Sequence, residues 1–392
     1  MRHTGAFFPV AFTAALLFTT FPVAAQQSIK IGVITTLSGP GAVLGEELRN
    51  GAQLAVDVLG QKVGGRPAEL VIVDDQMKPE VGREAAVELV RKHHVDFVTG
   101  MVWSNVVLAA VPYLIQQKVI TLGTVGGPSE LAGKMCSPYL FVFSNQTNQG
   151  GEAMGKYLQD SGVTDVALMA PNYVAGRDVL NGFKRYFKGN VSSETYTKLG
   201  QPDYQAEISQ VRASGAKAIA AFYPGSMGIQ FIQQYDQSGL RGKIPFYGIF
   251  VSDVLTLKAQ KEAALGNYDV GYWNYDLPNE RSVRFVKAYR DKFNKIPSLY
   301  AAATYDAVVA LSEAVKAVNG DVANKDGIVR SLEGWTGSVR DHFSFNSNHF
   351  PIQDYLLLQV VKDSNGEFVT RTSGVAFKNH RDSYFNECEM HK

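Results

Sequence analysis

A chain of 392 residues, 45% of them hydrophobic and 19% charged, exceeds one usual core, and about two domains are expected. Its 38 basic and 37 acidic residues nearly cancel, which argues against nucleic acid and against a polybasic membrane contact as partners.

The first 25 residues read as a leader and not as part of the fold. Arg2 and His3 precede an apolar run over residues 6–21, and Val23, Ala24 and Ala25 supply the small side chains of a cleavage site, so Gln26 is the expected mature start. A transmembrane reading is weaker, because the run is shorter than a bilayer span and carries Pro9, with Pro22 just beyond it. No other stretch is long and apolar enough to span. Export to a periplasm follows, and the mature chain balances at 37 basic against 37 acidic residues once Arg2 is removed. In an oxidising compartment Cys136 and Cys388 are expected to form one disulfide, the alternative being two unrelated thiols.

Residues 30–36 (KIGVITT) read as a buried strand, followed by the loop LSGPGAVLG. A helix from Glu46 carries Leu48, Ala52, Ala55, Val56 and Leu59 on one face. A turn at Gly64 and Gly65 leads to a strand over 69–73, and a second helix carries Val81, Ala85, Leu89 and Val90. The stretch 95–131 is the centre of this unit. Val95, Phe97 and Val98 form a strand, Gly100 breaks it, and Ser104 and Asn105 stand where a helix starts, with Val107, Ala110, Val111 and Leu114 at helical spacing. Ser and Asn are favoured N-caps, and the amides and positive dipole end of such a turn make a seat for an anion. Pro112 predicts a kink or an early end to this helix. A strand over 119–122 then enters TVGGPSEL, whose glycines let a ligand approach the backbone. Ser104, Asn105 and the loop 124–127 are therefore expected to form one wall of a small-molecule pocket.

An apolar stretch over 139–143 breaks into SNQTNQGG, which marks a lobe boundary, and the strand–helix alternation restarts. Strands are expected over 165–169, 191–198, 217–222 and 244–249, separated by helices, so both units are α/β with parallel sheets and helices on both faces. Residues 267–273 read as a strand returning toward the first unit, with helices through Phe285 and over 305–317. Residues 334–345 read as a β-turn region and HFPIQDYLLLQVV as an extended crossing that ends in a strand. Crossings near Ser144, Trp273 and Pro351 divide the chain into two discontinuous lobes, 26–144 with 274–350 and 145–273 with 351–392.

Three sharper patterns have blander explanations. The loop 39–45 reads GxGxxxG, off the GxGxxG spacing of a dinucleotide fingerprint, and is better taken as a turn that places Leu37 and Ser38 at a cleft mouth. YPGSMG resembles a nucleophile elbow around Ser226, but Pro224 occupies the first glycine position and no histidine and acid pair is placed to activate the serine. His93 and His94 are adjacent, about 100° apart on a helix end, and cannot chelate together. His342 and His349 lack companions at metal spacing, so neither metal nor cofactor is expected.

Taken together, IKIGVITTLSGPGAVLGEELRNGAQLAV, VIVDD, TGMVWSN, PSEL, NYVAGRD and ATYDAVVAL, in this order, resemble the type I periplasmic solute-binding proteins of ABC importers, in the branched-chain amino acid group. The resemblance covers nearly the whole mature chain. It implies Rossmann-like lobes joined by hinge strands that close on a ligand and deliver it to a membrane permease, with a monomer expected and no chemistry performed. Amino-acid binders of this group place an acid in the loop that here reads YGIFVSD, and the aligned residue is Phe250. A buried ammonium without a partner costs several kcal/mol, so an α-amino acid is disfavoured. NHFPIQDY and the C-terminal cysteine look like the aromatic-acid binders of the group. The implied ligand is a benzoate or phenylpropenoate, with the alternatives of a branched-chain amino acid or amide, or of a module presenting its ligand to a sensor kinase. The expected contacts are Leu37, Ser38, Trp103, Ser104, Asn105, Thr124, Val125, Gly126, Tyr173, Ala175, Arg177, Tyr223, Phe250 and Trp273. Arg177 is as consistent with a solvated helix residue as with a carboxylate partner, and the tryptophans with core packing.

Overall fold

The computed structural model describes residues 1–6 and 27–390, so the expected cleavage site and most of the leader lie outside the described residues. The first unit runs β1 (Ile29–Thr35), α1 (Ala42–Val58), β2 (Lys62–Val63), β3 (Arg66–Asp74), α2 (Pro79–Arg91), β4 (Phe97–Gly100), α3 (Ser104–Gln116), β5 (Ile120–Gly123), α4 (Ser129–Ala132) and β6 (Leu140–Val142). The second continues α5 (Asn148–Asp160), β7 (Asp165–Pro171), α6 (Val174–Tyr186), β8 (Asn190–Thr197), α7 (Gln205–Ser214), β9 (Ala218–Ala221), α8 (Ser226–Gln237), β10 (Phe246–Gly248), α9 (Leu257–Gln260) and β11 (Tyr268–Gly271). The chain then adds α10 (Glu280–Phe293), α11 (Leu299–Ala317), α12 (Lys325–Glu333), β12 (Phe343–Phe345), β13 (Pro351–Lys362) and β14 (Phe368–His380).

Two sheets result, ordered β2-β3-β1-β4-β5-β6 and β12-β13-β11-β10-β9-β7-β8, with β14 paired to β13. The strand β1 shows why the first is covered on both sides. Ile29, Ile31 and Val33 pack with Ala307, Leu311 and Ile328 from α11 and α12, whereas Ile34 packs with Leu89 and Val107 from α2 and α3. Alternate residues point to opposite faces of a strand, and each fully buried Ile or Val contributes ~1.5–3 kcal/mol. The second sheet is parallel from β8 to β11, then turns antiparallel at β13. β12 bonds to β13, yet its ring Phe343 stacks on Phe143 and its ring Phe345 meets Phe141 edge-on, both in the first core.

Three elements differ from the sequence reading. Helix α3 runs through Pro112 to Gln116, so the early end does not occur. Val107, Ala110, Val111 and Leu114 are buried on either side of the proline, and that packing holds the helix across the lost hydrogen bond. The region 334–345 supplies a strand, β12, and β13 is followed by the long partner strand β14, for which the sequence raised no expectation. The Cys136–Cys388 disulfide forms, with Cα atoms 5.6 Å apart, and joins the chain beyond α4 to the tail beyond β14.

Candidate functional site

In an open α/β sheet the crevice opens at the carboxyl ends of the strands where the order reverses. The first sheet reverses between β1 and β4, and the second between β7 and β9. These two points face each other across a cavity lined by loops and helix starts from both sheets, the place where such folds bind small molecules. The loop beyond β4 contributes Val102, Trp103 and Ser104, the loop beyond β5 Val125 and Gly126, and α1 Leu44. From the other side come Tyr173, Ala175 and Val179 beyond β7, Phe222 and Pro224 beyond β9, Phe250 beyond β10 and Tyr272 beyond β11. Asn145 and Thr147 line the hinge side and Tyr300 of α11 completes the wall.

The first wall is fixed by buried hydrogen bonds. Trp103 Nε1 donates to Thr36 Oγ1 at 3.0 Å, and Thr36 Oγ1 donates to Asp75 Oδ1 at 2.6 Å. The residue preceding α3 is thus Trp103 and not a capping serine, and no side chain caps the helix. Ser104 is the first helical residue. The first-turn amides of α3 therefore retain their capacity for an anion, and Ser104 lines the cavity beside them. Gly126 lets its loop lie against this turn, since a Cβ there would stand 2.8 Å from Val107 Cγ2 and 3.4 Å from Ser104 N. Its own amide is engaged by Met101 O at 3.2 Å, so it is not among the free donors expected of this loop. Thr124 Oγ1 and Asn105 Oδ1 are buried without a partner, just off the lining.

Rings line both sides of the gap, and one pair spans it. Trp103 and Tyr173 have centroids 6.1 Å apart, Tyr173 stacks on Phe222 at 6.4 Å, and Phe250 lies 6.2 Å from Tyr272. Burial pushes the Tyr173, Tyr272 and Tyr300 hydroxyls above the ordinary phenol value, so all three are neutral donors at physiological pH. Among the described residues, no Asp, Glu, Lys, Arg or His lines the cavity. The nearby acids are engaged elsewhere. Asp269 accepts the amides of Phe250, Val251, Ser252 and Val270 at 2.7–2.9 Å. Asp178 accepts Ser129 N and Ser129 Oγ, both at 3.1 Å, and Glu47 accepts Tyr289 Oη and Ser298 Oγ, both at 2.8 Å. Burial pushes the carboxyl of Asp178 up to about 6 and that of Asp269 up to about 7.

Several expected contacts lie elsewhere. Leu37 N bonds Asp74 Oδ1 and Ser38 is exposed; Leu44 takes their place at the cleft. Arg177 is exposed, its guanidinium held by Asn172 Oδ1 at 2.9 Å. Tyr223 points away from the cavity, stacked on Phe231 and bonded to Thr197, because its neighbours Phe222 and Pro224 take the cavity side. Trp273 is buried against Phe285 with Nε1 on Ser282 Oγ, and Tyr272 lines the cavity instead. Of the residues missed, Val179 was findable one helical turn beyond Ala175, whereas Tyr300 reaches the cavity from a distant helix with no local signal. Ser226 Oγ donates to Pro40 O across the lobe boundary. His349 is buried with Nε2 3.0 Å from Glu333, and no cluster of three metal-ligating side chains exists among the described residues.

Residues 28–367 match the family model described as periplasmic binding protein. A solute-binding protein of an ABC transporter from Rhodopseudomonas palustris, solved with benzoate, is 27% identical with a TM-score of 0.87, covering 93% of this chain and all of that one. Another from strain BisB5, solved with 3,4-dihydroxybenzoic acid, is 26% identical with a TM-score of 0.85, covering 91% and 99%. By sequence, Leu/Ile/Val-binding protein homolog 6 of Brucella melitensis is 28% identical, covering 92% of this chain and 95% of its own. With facing switch points around one cavity and a family match over most of its length, the chain belongs to the periplasmic binding protein family.

Proposed function

We propose that this protein is the periplasmic solute-binding component of an ABC importer and captures a small aromatic carboxylate, of benzoate or phenylpropenoate type, by closure of its lobes. The observation that carries this reading is a cavity walled by rings, with an uncapped helix N-terminus and Ser104 at one side and no ionised acid on its surface. A carboxylate gains the α3 amides and dipole end, and the rings of Trp103, Tyr173 and Phe250 receive the aromatic face. An ammonium would be desolvated without a partner, at several kcal/mol. The benzoate-bound relatives support the same class. The name of the Brucella homologue favours a second reading, a branched-chain amino acid. The accompanying proposals are a cleaved leader ending near Ala25, lobe boundaries near residues 144, 273 and 350, a monomeric chain and delivery to an inner-membrane permease.

A thermal-shift panel on unfolded and refolded, ligand-free protein separates the readings. Benzoates and cinnamate are expected to raise Tm and leucine, isoleucine and valine to leave it unchanged; the reverse pattern would replace the aromatic acid by the amino acid.

A further inference from the structure

Asp269 does not line the cavity, yet it is the most heavily engaged carboxylate beside it. It is 1% exposed, and both of its oxygens accept backbone amides, Oδ1 from Phe250 and Val270 and Oδ2 from Val251 and Ser252. The turn so gathered contains Phe250 at φ 58°, a left-handed conformation that bulky L-residues seldom hold. In that conformation the ring lies on the backbone of Gly150 in α5, where a Cβ would stand 2.5 Å from Phe250 Cε2. Gly248 is as tightly fitted from the other side, since a Cβ there would come within 2.1 Å of Asp269 Oδ2.

We propose that Asp269 is a positioning residue for ligand size: it pins the Phe250 turn so that the ring rests on Gly150 and closes one end of the cavity. The proposal rests on the aromatic-carboxylate reading above and adds the device that sets how long a ring system fits. Phe250 touches the ligand; Asp269 acts only through it. Without the pin, Phe250 relaxes toward negative φ, its ring leaves Gly150 and the cavity lengthens. A methyl group at position 150 does the opposite, driving the ring inward.

The test compares benzoate with 2-naphthoate by calorimetric titration of the wild-type chain, Asp269→Asn and Gly150→Ala, with circular dichroism and Tm to establish that each variant folds. In Asp269→Asn, whose amide nitrogen cannot accept the backbone N–H groups, the preference for benzoate over naphthoate is expected to fall at least tenfold. In Gly150→Ala it is expected to rise. Opposite shifts in a ratio are not produced by general loosening of the fold. Folded variants that both keep the wild-type ratio within twofold would overturn the proposal while leaving the aromatic-carboxylate reading intact. If Asp269→Asn does not fold, Gly150→Ala decides by the same criterion. A wild-type chain that binds neither acid overturns the reading and this proposal together.

Discussion

Ser104 occupies the first turn of α3, where the backbone offers amides that no side chain caps, and the proposed ligand carboxylate would accept there from both the helix and the hydroxyl. Removing one such charge-assisted bond costs about 1.5–3 kcal/mol. Ser104→Ala is therefore expected to weaken benzoate binding at least about tenfold with little change in the Tm of the ligand-free chain, read by titration and thermal melt. Unchanged affinity would remove the carboxylate from this turn. The same residue shows how far sequence reasoning reaches at this scale. A serine ahead of an apolar helical period marks a helix start, yet the N-cap proved to be Trp103, one residue earlier, so that Ser104 faces the cavity instead of capping. Tyr223 and Trp273 fail by the same margin: each is adjacent to the residue that lines the wall, because which of two consecutive side chains faces a cleft depends on how the strand exits its sheet.

Among the elements, hydrogen bonds join segments that face each other across the cavity. Helix α6 offers Asp178 to the amide and hydroxyl of Ser129 at the head of α4, and α8 offers Ser226 to Pro40 across the cavity mouth. Asp178 is 9% exposed, so the bonds to it are shielded from water. If this contact forms on closure over the ligand, Asp178→Ala is expected to speed ligand release about tenfold while leaving the association rate within about twofold; stopped-flow tryptophan fluorescence measures both. Equal release rates would show that the contact accompanies closure without holding it. Alternating strands and amphipathic helices were legible here because burial on two faces leaves long apolar runs, as in β1. β14 was not, since FVTRTSGVAFKNH mixes exposed, intermediate and buried positions and its pairing with β13 depends on a turn at 363–367.

At the scale of the whole molecule, the chain passes between its sheets so that two switch points face across a single cavity, an arrangement the restart of the strand–helix pattern after residue 144 already implied. What no pattern in the sequence carried is the contribution of distant segments: Tyr300 enters the wall from α11, and Asp269 sets Phe250 from a neighbouring strand. Both depend on tertiary placement, which local periodicity does not encode. The proposed ligand class rests on charge: the carboxylates of Asp269, Asp178 and Glu47 beside the cavity are bonded to protein groups while the first turn of α3 remains open to an anion. Benzoate and benzylamine present the same ring with opposite charge, so titration calorimetry of the refolded, ligand-free protein with each at neutral pH is the most direct test. Saturable one-to-one binding of benzoate with no heat from benzylamine is the predicted result; binding of benzylamine, with or without benzoate, would contradict it.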